Sequence, residues 1–308
     1  MQRRFLSLFG FLTFGLALVS GEAHAGKYDL DLTPLGEQTA NGIQQDDAAF
    51  RSLSSQLGVI MAPQPMDPAD SLGLSGFALS VDMSVNTIAE AEPYWDLTAD
   101  GANTVAPSLQ VVGRKGLWPG FEVGGGATHM FDSRMWAMSG YGKFAFHEGF
   151  HHLPIPSISV RASFSRLLGA KDLNMTTAAP AVTISHVFGL GKTFSLTPYA
   201  GYEALLIISR STVLDATPNC DEFADAYNEM ACANLNASVP SEFVFQNAGT
   251  IVRHRPFFGA RMIFSVIRIG FEAMFVPKGS TEGELEGIAV KDNAAFQQQY
   301  TFSLGLDF

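Results

Sequence analysis

The sequence predicts an all-β protein that crosses a membrane as a closed, antiparallel up-and-down β-barrel. Only 16% of its 308 residues are charged, against about 25% in a typical soluble domain. After residue 25, no uninterrupted apolar run approaches the roughly 20 residues that a transmembrane helix requires. Segments in which apolar and polar residues alternate recur along the chain, and this period of two is typical of strands with one apolar face. Such strands cross a bilayer in about 9–11 residues.

The charge balance excludes one class of function. The chain has 19 basic and 30 acidic residues, a formal charge of −11, whereas binding to nucleic acid requires a basic surface. The phosphate-binding glycine motifs of nucleotide-binding proteins are not found in the sequence. We therefore expect no nucleic-acid partner and no cofactor.

The first 25 residues have the features of a secretory signal peptide. Arg3 and Arg4 precede an apolar stretch over 5–19, and Ala23-His24-Ala25 is a typical cleavage signal. The apolar stretch is too short for a full transmembrane span. We expect export of the chain and cleavage after Ala25.

The last strand has the clearest pattern in the chain. Its apolar and aromatic residues alternate with small or polar ones and are Tyr300, Phe302, Leu304, Leu306 and Phe308. This segment resembles the C-terminal strand of Gram-negative outer-membrane β-barrels. The resemblance implies that these five residues are a signal for the barrel assembly machinery. It also implies that the protein lies in the outer membrane, in contact with lipid and lipopolysaccharide.

The same alternation predicts about ten strands in residues 72–308, within a range of eight to twelve. The candidates before the last strand are 77–85, 104–113, 118–129, 134–147, 158–164, 174–187, 196–206, 258–264 and 267–275. Short connections are expected at 114–117, at 189–192 and near Ser265, and long ones at 88–103, 208–253 and 277–296. Short turns at one end and long loops at the other are typical of outer-membrane barrels. A soluble sandwich with mixed loop lengths is the alternative.

Residues 26–71 differ from the strand region. Asp46 and Asp47 can begin a short helix that places Phe50, Leu53 and Leu57 on one face. We expect this segment to plug the barrel or to lie beneath its periplasmic mouth, and a flexible leader is the alternative.

Strand phase places eight charged side chains in the lumen. They are Asp82, Glu122, Lys143, Arg161, Glu203, Arg261, Arg268 and Glu272. Four acids and four bases can pair across a narrow interior, which avoids the cost of isolated buried charges. The residues predict either a salt-bridged, closed interior or a narrow path for ions or small solutes.

Two cysteines, Cys220 and Cys232, lie in the acidic connection 208–253. In an exported chain a close pair of this kind is expected to form a disulfide. The connection is a candidate for folding over the pore, binding divalent cations among lipopolysaccharide phosphates or contacting another surface, and a solvated loop kept soluble by its charge is the alternative.

Two histidine-containing groups are weak candidates for chemistry. His129 and Asp132 fall in a connection on the expected outer side, where an Asp–His pair can activate water. His147, His151 and His152 cluster with Glu148, but in a turn rather than on a helix, so we expect no metal site.

These observations favour a non-enzymatic outer-membrane barrel that is structural or is a narrow channel or binding protein for small solutes. A surface adhesion protein that acts through 208–253 is the alternative. A hydrolase at the rim is less favoured.

Overall fold

A computed structural model of the chain describes residues 26–39, 42–148, 155–190, 194–220, 232 and 241–308. The predicted signal peptide lies outside the described residues. The first strands of the described chain are the paired β1 (Gly36–Thr39) and β2 (Gly42–Gln45), which are followed by the helix α1 (Asp47–Met61).

The regular structure in the rest of the described chain is mostly β, apart from short 3-10 turns at Pro93–Trp95 and Pro218–Cys220. Its strands are β3 (Phe77–Thr87), β4 (Val105–Trp118), β5 (Phe121–Met130), β6 (Trp136–His147), β7 (Ser157–Leu168), β8 (Leu173–Ser185), β9 (Phe188–Leu190), β10 (Phe194–Ser211), β11 (Leu214–Asp215), β12 (Glu242–Phe243), β13 (Ile251–Phe264), β14 (Ile267–Val276), β15 (Glu282–Leu285), β16 (Ile288–Lys291) and β17 (Gln297–Asp307). Ten of them, β3–β8, β10, β13, β14 and β17, pair antiparallel with their neighbours, and β17 pairs with β3 to close the ring. The predicted ten-stranded barrel with a short N-terminal helix is confirmed.

Side chains on the barrel strands alternate between the lumen and the exterior. Phe164, Met83 and Phe302 face outward and are 63%, 50% and 53% exposed. Their neighbours along the strands, such as Ser163 and Ser303, are buried in the lumen. The exterior therefore carries the apolar band that a lipid environment requires. No helix in the described ranges is both long and apolar enough to cross a membrane.

The two ends of the barrel differ. At one end, which we call the terminal end, the backbones of Phe77 and Phe308 exchange two hydrogen bonds. The connections at this end are 119–120, 148–156, 186–193 and 265–266. At the other end, the loop end, they are 88–104, 131–135, 169–172, 212–250 and 277–296.

Two predicted connections are corrected. The segment 114–117 belongs to β4, and the turn lies at 119–120, where Gly120 has a φ of 79° and Trp118 stacks on Phe121 with 5.6 Å between ring centroids. The connection 208–253 is shorter than predicted because β10 continues to Ser211 and β13 begins at Ile251.

The N-terminal segment passes through the barrel. Its start lies at the loop end, where the Tyr28 amide donates to the Asp132 carbonyl and Leu30 forms a β-bridge with Thr98. Helix α1 then enters the lumen, and residues 62–70 continue, fully buried, towards β3 at the terminal end. We call residues 47–72 the plug.

Helix α1 forms where the sequence predicts it. The Asp46 carboxylate accepts a hydrogen bond from the Ala49 amide (2.9 Å), which satisfies one of the free donors of the first turn. Residues 50–61 are buried on every face because the barrel surrounds them. Phe50 stacks on Phe245 of the 212–250 connection, with 4.6 Å between ring centroids.

Gly58 allows close contact between the helix and the barrel, since a Cβ at this position would lie 2.5 Å from Ile207 Cδ1. Gly58→Leu is expected to lower the free energy of unfolding by about 1–3 kcal/mol, because a packed interior resists added methylene groups. Urea unfolding of the protein refolded in lipid vesicles measures the effect. Gly113→Leu is the matched control, because a Cβ at Gly113 meets open space on the outward face. Equal unfolding free energies for the two variants would contradict the close packing.

Candidate functional site

The lumen holds all eight of the charged side chains that strand phase assigns to it. Each is at most 8% exposed. Three further buried arginines on the strands, which sequence reasoning missed, are Arg114, Arg253 and Arg255. Arg114 lies beyond the predicted end of its strand. Arg253 lies in the predicted connection 208–253, and Arg255 lies between that connection and the predicted strand 258–264. The described barrel strands thus bury seven basic side chains against four acidic ones.

Asp67 of the plug supplies a counter-charge that four of these bases share. Its Oδ1 atom lies 3.1 Å from Arg261 Nη1, 3.2 Å from Arg268 Nη2 and 3.4 Å from Arg114 Nη1. Its Oδ2 atom contacts Lys143 Nζ. These four cations come from β4, β6, β13 and β14, which are spread around the ring. One carboxylate therefore ties the plug to several sides of the barrel.

Two of these cations have further carboxylate partners on the barrel. Lys143 Nζ lies 3.3 Å from Glu122 Oε2, and Arg268 Nη1 lies 3.8 Å from Asp307 Oδ1. Nearer the loop end, Glu203 and Arg255 form a fully buried pair at 3.1 Å. Buried ions are tolerated when they are paired in this way.

The backbone of the plug beyond the helix is bound by side chains of the barrel. Arg161 Nη1 donates to the carbonyls of Gln64 (3.2 Å) and Pro65 (2.7 Å). The Met66 amide donates to Glu272 Oε2 at 3.0 Å, and its carbonyl accepts from Arg268. An extended segment makes no hydrogen bonds within itself, so the barrel must satisfy its buried polar groups.

The helix makes polar contacts with the loop-end connections. Ser55 Oγ donates to Asp292 Oδ2 (2.8 Å) and accepts from Arg253 Nη1 (2.6 Å). Trp95 Nε1 donates to Gln56 Oε1 at 2.6 Å. The connections 88–104 and 277–296 therefore contact the helix and cover part of its surface.

An ion pair fixes the start of the described chain. Asp29 accepts hydrogen bonds from the Arg134 amide (2.8 Å) and from Arg134 Nε (2.7 Å). Burial raises the pKa of Asp29, but hydrogen bonds from Arg134 and Gly26 outweigh it and leave this pKa below its usual value. Asp29 is therefore a charged acceptor at neutral pH.

The two rim candidates do not contact each other. His129 faces the barrel exterior, stacks on Trp136 with 4.3 Å between ring centroids, and its Nδ1 lies 3.2 Å from the Met135 carbonyl. Asp132 has a φ of 54° and binds the Tyr28 amide through its backbone carbonyl. Their contacts position the connection 131–135.

The histidine-rich turn is described only in part, because His151 and His152 lie outside the described residues. Glu148 accepts hydrogen bonds from Ser71 Oγ (2.9 Å) and the Gly120 amide (2.8 Å). It therefore joins the end of the plug to a turn at the terminal end. Over the described ranges, no group of three metal-binding side chains occurs.

The remaining predicted residues lie in the connection 212–250 and in β17. Cys220 and Cys232 form a disulfide. Tyr300, Phe302, Leu304 and Leu306 face outward and are 39–53% exposed, whereas Phe308 lies at the end of β17 and is 67% exposed. Their role in assembly stays a prediction.

Asp67→Asn is expected to lower the free energy of unfolding by about 3–5 kcal/mol, because it leaves several buried cations without their shared counter-ion. Urea unfolding in vesicles, followed by the heat-dependent gel mobility of folded barrels, measures the effect. Asp70→Asn is the control, since Asp70 Oδ1 accepts one hydrogen bond from Ser157 Oγ (2.5 Å). Equal losses in the two variants would show that the four-cation contact adds no more stability than the single hydrogen bond of Asp70.

Comparison with known proteins finds similar structures and no related sequences. No protein-family model and no curated protein matches the chain. Matching solved structures include the translocator domain of the autotransporter NalP from Neisseria meningitidis, with a TM-score of 0.36, 9% identity and coverage of 85% of this chain and 95% of that one. Omp33 from Acinetobacter baumannii matches with a TM-score of 0.29 and 8% identity over 77% of this chain and 100% of that one. Ail from Yersinia pestis, in complex with the heparin analogue sucrose octasulfate, matches with a TM-score of 0.26 and 8% identity over 76% of this chain and 99% of that one. Scores this low transfer no activity to this chain.

Proposed function

We propose that this protein is a non-enzymatic outer-membrane barrel whose lumen is closed by its own N-terminal segment. The loop end faces the cell exterior in this proposal, because outer-membrane barrels have short periplasmic turns and longer external loops. The plug then runs from the outer surface to the periplasmic mouth. The protein is a structural membrane element with a folded outer surface rather than an open channel.

The observation that carries the proposal is the fourfold contact of Asp67. The Asp67 carboxylate lies inside the lumen and contacts four cations on four different strands. These contacts hold the plug to the barrel on several sides; the cations are Arg114, Lys143, Arg261 and Arg268. Helix α1 fills the lumen nearer the loop end, where residues 50–61 are buried. Ions or solutes could pass only if the plug left, which would expose the unbalanced cations of the barrel.

A surface interaction protein is the second candidate, and the connection 212–250 favours it. β11 and β12 pair within this connection, and Phe245 packs on Phe50 of the plug. The disulfide-containing part is therefore attached to a rigid base. A partner bound there would be held firmly on the barrel.

Conductance tests the closed lumen. The refolded full-length protein is expected to be silent in a planar lipid bilayer, because the plug leaves no continuous path. Heat-dependent gel mobility shows that the sample is folded. Asp67→Asn is expected to give transient openings, since it weakens the attachment of the plug. Stable, discrete openings of the unmodified protein would contradict the proposal.

Replacement of 217–240 tests whether the connection contributes to closure. The Ala216 amide donates to the Ser241 carbonyl (2.9 Å), so an Asn-Gly turn can join these residues and keep the β11–β12 pair. This variant is expected to remain folded and silent, because the plug and Phe245 are retained. Openings in a folded variant would assign the closure to the connection instead.

A further inference from the structure

Charged side chains on the outward face of the barrel are few and unevenly placed. In the barrel strands as described, the outward basic side chains are Lys115, Arg166 and Arg210, and no acidic side chain faces outward. Lys115 lies towards the terminal end, where its Nζ donates to the Ser75 carbonyl (2.6 Å). Both arginines lie near the loop end, on the strands β7 and β10 that flank β8.

The two arginines form one cluster across β8. Arg166 is paired with Thr176, and Arg210 is paired with Asn174, two residues closer to the loop end. Arg166 donates to Thr176 Oγ1 (2.7 Å) and to Asn174 Oδ1 (3.0 Å), which holds its guanidinium over β8 on the side of Arg210. Strands on either side of one shared neighbour lie about 10 Å apart, a distance that two long side chains can span. Lys171, exposed in the connection 169–172, adds a third cation nearby.

The cluster lies near the loop-end margin of the apolar band, where Leu168 (47% exposed) is the one outward apolar residue of β7 still closer to the loop end. Phe164, two residues from Arg166 towards the terminal end, is 63% exposed, and Ile208, two residues from Arg210, is 48% exposed. A charge is costly at the centre of a bilayer but costs little near its interface. In the proposed membrane orientation, the two guanidinium groups would lie near the level where lipid headgroups meet the acyl chains.

We propose that Arg166 and Arg210, assisted by Lys171, bind a phosphate of the phosphorylated glycolipid of the outer leaflet, the class to which lipopolysaccharide belongs. Guanidinium groups form paired, charge-assisted hydrogen bonds with phosphate oxygens. Phe164 and Ile208 lie where the acyl chains of the same molecule would pack. The proposal rests on the outer-membrane location and orientation given above.

Titration with fluorescent lipid A, the phosphorylated glycolipid anchor, tests the site. The full-length protein in detergent micelles is compared with Arg166→Ala/Arg210→Ala and with Lys115→Ala, the matched outward cation at the other end. The double variant is expected to bind at least about tenfold more weakly, since two charge-assisted contacts are lost, and Lys115→Ala is expected to bind normally. Lipid A stripped of its phosphates should bind the unmodified protein as weakly as lipid A binds the double variant.

Three outcomes would overturn the proposal. The first is an equal affinity of the double variant and the unmodified protein for lipid A, and the second is an equal loss of affinity in the double variant and in Lys115→Ala. The third is full displacement of lipid A by millimolar inorganic phosphate, which would indicate a site for the free anion. Heat-dependent gel mobility verifies that the variants fold.

Orientation is tested separately by labelling Ile288→Cys on intact cells with an impermeant maleimide, because Ile288 is 69% exposed at the loop end. Failure of the proposed location is thereby distinguished from failure of the lipid site.

Discussion

The positive charge buried inside the barrel is the constraint on which the rest of the structure depends. The strands bury seven bases and four acids, and an uncompensated ion in a low-dielectric interior costs several kcal/mol. Asp67 supplies a counter-charge from outside the strands and contacts four of the bases. The plug is therefore part of the folded barrel electrostatically as well as sterically.

The same constraint explains how the plug is built. The backbone of helix α1 forms its hydrogen bonds within the helix. Its buried surface therefore needs only a few polar contacts with the barrel, such as those of Ser55 and Gln56. Beyond the helix, prolines at 63, 65 and 68 favour an extended chain, and its free carbonyls become acceptors for Arg161 and Arg268. The excess arginines of the barrel and the extended backbone of the plug are thus complementary, because the guanidinium groups supply hydrogen-bond donors and the plug carbonyls supply acceptors.

The fold was largely predictable from the sequence, and the site only in part. Alternation with a period of two depends on local geometry, so it assigned Glu203 and Arg268 to the lumen without any knowledge of contacts. It missed Arg114 and Arg253 because strand ends are poorly defined by pattern. Asp67 had no local signal, since its partners lie 47 to 201 residues away in the chain. His129 and Asp132 are close in sequence, but strand phase turns the first outward while the second binds through its backbone.

The chain connectivity indicates how a filled barrel can form. The plug joins β3 directly at the terminal end, and the ring closes where β17 pairs with β3. A plug that lies against β3 and β4 before β17 arrives is enclosed by that last pairing, with no threading through a closed ring. Asp67 contacts Arg114 of β4 and also Arg261 and Arg268 of the late strands β13 and β14. The carboxylate therefore links an early strand to two late strands through the plug, so the charge that fills the lumen also stabilises the closed barrel around it.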